Sequence, residues 1–364
     1  MTTIGDWFAV EQLLPEGWAD AARELGAFQR ARYLKTPGEV LRLLLTHAAG
    51  EGGLRVTVAQ AQVAGLPSVS QVALRDRMRT SVSWLEWMIN GLSESLRGKP
   101  PEIAAGLRPR LVDGTTVEGP GAKGTQWRLH CGMDLNTLAL DWFELTDAHG
   151  AEALERMPVS PGDVLLADRN YLRPASVQAV EVAGGFVLVR LRWTHSRLSD
   201  EQGVVVRALE LVRSLGADRA GDWPVRLDTG DGRYVAGRVV ALKLPDPLAE
   251  KAVQRAIRRG KKKRRKPDPR SIEAARYVML FTTVPAEQLP AANALALYRF
   301  RWQIEVAFKR LKQLLKAGRL LHTDQQAAAG WIQAKVLLAL LLELLYRNAR
   351  SFSPWGYEYR SRTT

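Results

Sequence analysis

The segment Tyr298-Arg-Phe-Arg-Trp-Gln-Ile-Glu-Val-Ala-Phe-Lys-Arg-Leu-Lys312 holds the residue types best suited to chemistry. An α-helix advances about 100° per residue. With Tyr298 at zero, Arg301 falls at about −60°, Glu305 at about −20° and Lys312 at about −40°. These four share a strip roughly 60° wide. Phe300, Ile304, Ala307, Leu311 and Leu314 fall on the opposite side, so the helix is expected to pack with one face and offer a tyrosine, two cations and a carboxylate from the other. On its own such a strip could be a solvated face with i,i+4 pairs such as Arg301 with Glu305. Two aspartates add to it. Asp113 in Leu111-Val-Asp-Gly-Thr-Thr116 and Asp168 in Leu165-Leu-Ala-Asp-Arg-Asn-Tyr171 each close an apolar, strand-like run. Either alone would serve as a turn or cap residue; on neighbouring strands the two would meet at one sheet edge. Carboxylates suit hard cations, which take oxygen ligands, and guanidinium and ammonium groups grip phosphate. The five histidines (47, 130, 149, 195 and 322) are scattered, and His130 beside the single cysteine, Cys131, forms no metal-ligand spacing. The Gly-rich run 119–124 lacks the Gly-Lys-Ser/Thr of a phosphate loop and reads as a turn.

The elements that must hold these residues follow from hydrophobic periodicity. Residues 1–100 read as helical, with apolar residues at helical spacing in 41–47 and 84–96. Between them, 58–65 and 70–79 have the shape of a helix, a Gly turn and a second helix opened by Ser70, and the second helix carries Gln71, Arg75, Arg77 and Arg79. A helix-turn-helix reader would use such side chains on bases and phosphates, although hairpins of this kind also occur as plain structure. After Arg97-Gly-Lys-Pro-Pro101 the pattern changes. Runs 108–117, 126–133 and 138–145 predict three strands, 151–156 a short helix, 162–168 a strand, 174–182 a helix and 185–192 a strand, a mixed α/β layer. Strand-like runs at 204–209, 223–228, 234–244 and 277–283 follow, and then helices over about 293–315 and 325–348.

The chain has 364 residues and a net charge of +14. Twelve basic residues against two acids between Lys251 and Arg276 hold +10 of that excess. The block Gly260-Lys-Lys-Lys-Arg-Arg-Lys266, followed by Pro267, is expected to be a loop, because like charges repel and proline stops a helix. It is either a solvated loop or a phosphate-contacting surface, which confers affinity with little sequence choice. Composition excludes a mostly disordered chain and a multi-span membrane protein. One cysteine excludes an intrachain disulfide and a Cys-based zinc cluster. No signal peptide is visible at the N-terminus. The apolar run 336–345 contains Glu343 and falls short of the about 20 residues a bilayer requires. A buried helix and a cytoplasmic, membrane-free chain are expected.

Together, Asp113, Asp168 and the Tyr298-Arg301-Glu305-Lys312 strip resemble the DDE transposases of bacterial insertion sequences, and more closely the insertion-sequence family four branch. That branch's signature, Tyr-x2-Arg-x3-Glu-x6-Lys, is matched at every spacing, and the Asp-Gly-Thr and Asp-Arg-x-Tyr neighbourhoods match as well. Asn170 departs from it, standing where many members carry a small residue. The resemblance covers nearly the whole chain and implies an α/β fold: a ribonuclease-H-like mixed sheet with helices, interrupted by a mostly β insertion domain and preceded by a helical N-terminal domain. The implied divisions are 1–100 (DNA binding), 101–198 and 289–320 (catalytic core), 199–288 (insertion domain with the basic loop) and 321–364 (helical, a candidate for dimer packing).

The resemblance further implies that Asp113, Asp168 and Glu305 are catalytic and hold two Mg²⁺ or Mn²⁺ ions. Such ions activate the attacking oxygen and stabilise the leaving one in line. Arg301, Lys312 and Tyr298 would hold phosphate near the scissile bond, with Arg169 beside them. Trp302, at about 40° on the same wheel, would stack on distorted DNA or else pack internally. Lys261, Lys262, Lys263, Arg264, Arg265 and Lys266, with Arg75 and Arg79, complete the expected DNA-binding set. The implied function is a DNA transposase that binds the inverted-repeat ends of its element as a homodimer, cuts them and joins them to target DNA. The alternatives are a nuclease of the same fold that does not integrate, and a non-catalytic domesticated DNA-binding protein.

Overall fold

The computed structural model describes residues 4–50, 52–95, 106–118, 125–216, 219–262, 268–305, 308–309, 322 and 324–351. Lys263, Arg264, Arg265, Lys266 and Lys312 lie outside the described residues, as do Ala307, Leu311, Leu314 and the turn expected at 119–124.

Six helices come first: α1 (Ile4–Glu11), α2 (Trp18–Glu24), α3 (Pro37–Ala49), α4 (Leu54–Val63), α5 (Gln71–Thr80) and α6 (Val82–Ser95). Their starts are written locally. Thr36 accepts a hydrogen bond from the Glu39 N–H with Pro37 at the first turn of α3, and Ser70 accepts one from the Ala73 N–H at 3.1 Å to open α5. Gly65, at φ 81°, turns the chain between α4 and α5, where a side chain would be strained.

The sheet follows. Its strands are β1 (Arg108–Glu118), β2 (Thr125–Asp134), β3 (Ala139–Asp147), β4 (Asp163–Ala167), β5 (Phe186–Arg190), β6 (Leu198–Ser199), β7 (Val205–Val206), β8 (Ala220–Asp228), β9 (Tyr234–Lys243) and β10 (Tyr277–Thr282). Interspersed are α7 (Pro174–Val182), α8 (Ala208–Arg213), α9 (Asp246–Lys262) and α10 (Pro269–Ala274), and the chain ends in α11 (Ala291–Arg299) and α12 (Gln325–Ser351). The strand order is β3-β2-β1-β4-β5-β10-β9-β8-β6-β7. The pairs β1–β4 and β4–β5 are parallel and the rest antiparallel, so strands from 199–288 extend the same sheet.

Side chains alternate between two cores, as the two-residue period of a strand requires. Val164, Leu166, Leu188, Val240 and Leu280 face one core, shared with α3, α5, α6, α11 and α12. Leu165, Ala167, Val187, Val189, Val239 and Phe281 face the other, shared with α7 and α8. On β1, Leu111 faces the first core and Val112 the second. Asp113 therefore shares the face of Leu111, the one that α11 covers.

On length and composition, part of α12 (325–345) could cross a membrane, but 67% of its apolar window is buried inside the fold, as expected for a core helix. Trp331, Ile332, Leu337 and Leu340 are all buried within the chain. Lys335 donates to the Ala48 carbonyl at 2.7 Å and lies 4.5 Å from the Trp331 ring centroid, and His47 meets His322 at 2.8 Å. Burial, and then the neighbouring His322 and Lys335, push His47 down to about 4.

Three elements differ from the sequence expectation. The run 204–209 supplies only the two residues of β7 before turning into α8, because Leu209 and Val212, three apart, pack as helix neighbours. The basic block does not begin as a loop: α9 continues through Lys261 and Lys262. Ala249, Val253, Ala256 and Ile257 form its inward stripe, and Lys and Arg are good helix formers favoured at a C-terminus. The third difference is a break after Arg299, where Phe300, Arg301 and Gln303 donate to the carbonyls three residues back (Leu297, Tyr298 and Phe300), before 302–305 resume helix. A turn of this type advances about 120° per residue. Phe300 therefore leaves the side of buried Ile304 on which the regular wheel placed it and is 44% exposed.

Candidate active site

Asp113 and Asp168 are brought together by strand pairing. The parallel ladder matches Arg108 with Asp163 through Leu111 with Leu166; two residues beyond it on each strand come Asp113 and Asp168, close enough that the Asp168 charge bears on Asp113. Asp168 directly follows β4 and heads the single turn 169–171. Asp113 Oδ1 accepts the Gly114 N–H at 2.8 Å. Burial is the main reason its carboxyl is pushed up to about 6; the charges of Glu152 and Asp168 add to the effect, and the Gly114 N–H and Arg301 oppose it.

Residues from α11 and the turn after it cover this pair. Tyr298 donates its hydroxyl to the carbonyl of Ala167, the residue before Asp168, at 3.0 Å. Burial, opposed by Arg301, raises the pKa of that hydroxyl above its ordinary value, so it stays a donor. Arg301 Nη1 lies 3.6 Å from Asp113 Oδ2, while its Nη2 pairs with Glu305 Oε1. Arg301 thus stands between Asp113 and Glu305, and the Glu305 side chain is 58% exposed. Among the described residues, no three acids, histidines or cysteines are gathered closely enough to hold a metal ion. Asp113 and Asp168 are neighbours, and Glu305 reaches them through Arg301.

Trp302, 53% exposed, stands beside Arg301. Arg169 is exposed in the turn after Asp168, and Lys261 is exposed at the end of α9, where Lys262 is the last residue. Arg75 and Arg79 belong to the helical layer and not to this cluster: Arg75 lies 3.6 Å from Asp76, and Arg79 lies 3.5 Å from Asp324, beside the start of α12.

Sequence reading missed two contributors. Glu152, read as part of a short helix, lies in the loop after β3, pairs with Arg128 at 3.2 Å and bears electrostatically on Asp113. Tyr171 is buried with a hydroxyl that has no hydrogen-bond partner among the described residues, and a Cβ built on Gly114 would lie 3.4 Å from that oxygen. The Asp-Arg-x-Tyr spacing was a signal for Tyr171. Nothing local marked Glu152, because only the course of β3 back along β2 delivers its loop to Asp113.

Paired acids beneath an arginine on a strongly basic α/β chain suit work on a polyanion. The family model described as Transposase DDE domain matches residues 105–342, and the chain belongs to that family. It is 31% identical over 345 residues to the transposase InsL of insertion sequence element IS186A from Escherichia coli strain K12, covering 93% of each. It is also 31% identical over 346 residues to the transposase of insertion sequence element IS421 from Escherichia coli, again covering 93% of each. A synaptic complex of the piggyBac transposase with hairpin DNA has a TM-score of 0.46 and 10% identity, over 97% of this chain and 75% of that one. The protein is a DDE transposase of an insertion-sequence family, an enzyme that cleaves and transfers DNA.

Proposed function

We propose that Asp113, Asp168 and Glu305 are the three catalytic carboxylates of this transposase, acting on the inverted-repeat ends of its element in a ribonuclease-H-like core. The observation that carries this reading is the β1–β4 register, which brings Asp113 near Asp168 on the face covered by Arg301 and Glu305. The order β3-β2-β1-β4-β5, with β4 and β5 parallel to β1, supports the ribonuclease-H-like assignment.

The donor set fits divalent cations. It consists of carboxylate oxygens, the preference of Mg²⁺ and Mn²⁺, and Asp113 is a desolvated acid whose ionised form a cation would stabilise. Asp113 and Asp168 would hold the metal, and Glu305 would join them on release from Arg301. Two bound ions supply an activated attacking oxygen and a stabilised leaving oxygen. The chain's own residues do the rest. Tyr298 holds the Asp168 end of β4 against α11 through the Ala167 carbonyl. Arg301, once free of an acid, binds the phosphate bidentately. Exposed Trp302 offers a stacking surface to an unpaired base.

Arg75, Arg79 and the basic residues Lys261, Lys262, Lys263, Arg264, Arg265 and Lys266 would extend the DNA surface, with Arg169 and Lys312 on phosphates near the cut. The helical layer 1–100 would bind element ends, 199–288 would be the insertion unit, and two copies would pair the ends in the cytoplasm. The decisive experiment is strand cleavage and joining of the element's terminal DNA into a plasmid. Mg²⁺ or Mn²⁺ should be required, and Glu305→Gln should lose both steps yet bind the ends. Full cleavage by that variant would remove Glu305 from the reaction.

A further inference from the structure

Beside the paired acids lies a cavity of about 270 Å³ that the proposed metal chemistry does not use. Arg128, His149, Glu152, Asn170, Arg173 and Arg192 line it. It adjoins the site on two sides: Glu152 is the residue whose charge bears on Asp113, and Asn170 lies in the turn that Asp168 heads. Three guanidinium groups face one carboxylate there. Glu152 answers Arg128 at 3.2 Å. The side chains of Arg173 and Arg192 have no hydrogen bond or ion pair among the described residues, and the buried Nε of Arg128 has no partner there either. Arg173 and Arg192 are exposed into the opening and Arg128 Nε is buried, so the pocket presents more positive donors than its one carboxylate answers.

We infer that the pocket is a subsite for one backbone phosphate of the bound DNA strand, a neighbour of the scissile phosphate, held by Arg173, Arg192 and the free Nε of Arg128. The choice of a phosphodiester follows from the donor geometry. Planar guanidinium forks match phosphate oxygens in pairs, and the apolar lining among the described residues is limited to Ala148, Gly150 and Ala151, which present no broad face to a base. Its side chains come from β2, the loop after β3, the turn after β4, the start of α7 and the segment after β5. Asp168 heads that same turn and β2 pairs with β1, which carries Asp113, so a phosphate seated here would fix the strand's position relative to the two acids. This inference rests on reading those acids as the reaction centre.

The test combines protein variants with single neutral phosphates. Duplexes carrying the element's end are made with one methylphosphonate at successive positions around the cleavage point. Binding to the full-length protein is then measured without divalent metal. One position near the cut should weaken wild-type binding about tenfold, the worth of a hydrogen bond to a charged group. The double variant R173Q/R192Q should bind the unmodified duplex about tenfold more weakly, show a shallower salt dependence, and lose nothing more at that position. R173K/R192K should restore part of the affinity and would separate lost charge from lost fold. If the double variant suffers the same methylphosphonate penalties as wild type, the pocket holds no backbone phosphate. Weakening of DNA binding by inorganic phosphate in wild type and R173Q/R192Q alike would likewise overturn the assignment. Because no cleavage is measured, a failure of the three-acid reading would appear separately, as normal cutting by Glu305→Gln.

Discussion

Strand β1 carries two meetings of arginine with carboxylate only three residues apart, and they are built for opposite purposes. Arg110 is fully buried, with Nε 2.7 Å from Asp141 Oδ2 and Nη1 3.2 Å from Asp163 Oδ2 and 2.8 Å from the Pro158 carbonyl. Arg108 also reaches Asp163, whose second oxygen further accepts the Ser160 N–H at 2.9 Å. Asp141 reaches this network because β3 bulges there: Gly132 faces Trp142 and Met133 faces Leu140, leaving Asp141 between them, unmatched on β2. Asp113, by contrast, is desolvated and flanked by two like charges, and the Arg301 guanidinium, 3.6 Å away, is shared with Glu305. The first meeting pairs buried charges of opposite sign within the fold and joins β1, β3 and β4. The second leaves a carboxylate short of positive charge beside an open face, and that deficit makes it receptive to a cation.

Three measurements break or sharpen this contrast. The largest effect falls on activity: Asp113→Asn should lower DNA cleavage by at least about 10³-fold, the scale of the several kcal/mol that metal ions supply to a transition state, with the far-UV circular dichroism unchanged. Cleavage within tenfold of wild type would place Asp113 among the structural acids. Next, Arg110→Ala should destabilise the fold by about 3–5 kcal/mol, because it removes the guanidinium that buried Asp141 and Asp163 share. Urea denaturation reads this directly, and an unchanged midpoint would contradict the structural role.

The smallest effect concerns pH. Asp113 titrates at about 6 in the folded chain against an ordinary 3.8. Its ionised form therefore weakens the fold at neutral pH, and this cost fades as pH falls from about 6 towards 4. With chelator present, Asp113→Asn should be more stable than wild type by about 1–2 kcal/mol at pH 7 and no more stable near pH 4. A variant less stable at pH 7 would show that Asp113, like Asp163, is needed to hold the sheet.

The strands were largely legible from sequence because their side chains alternate between environments. Runs 108–117, 126–133 and 138–145 match β1, β2 and β3 to within two residues. The run 162–168 was legible for another reason: every residue of β4 is buried, and Val164–Ala167 are apolar throughout before the abrupt acid Asp168. Local rules failed where packing competes with them. Charge repulsion in the basic block predicted a loop, but burial of Val253 and its neighbours carries α9 through Lys262. A uniform helix through Tyr298 and Glu305 was the natural reading of their spacing. The Ala167 carbonyl anchors Tyr298 and the core anchors Ile304, and the backbone between them tightens so that both contacts are met.

From the sequence alone came the chemical vocabulary of this transposase: two strand-ending aspartates, the Tyr298-Arg301-Glu305 spacing, the basic segment and the apolar periods of the elements around them. These depend on short-range sterics and on the period with which a chain alternates between water and core. Tertiary structure decided which groups meet. It set Asp113 near Asp168, brought Glu152 alongside, placed Arg301 between two acids and left Arg173 and Arg192 facing an open cavity. Apart from Arg301 with its near neighbour Glu305, those meetings join residues distant in sequence, and only the register of the paired strands and the shared core bring them together.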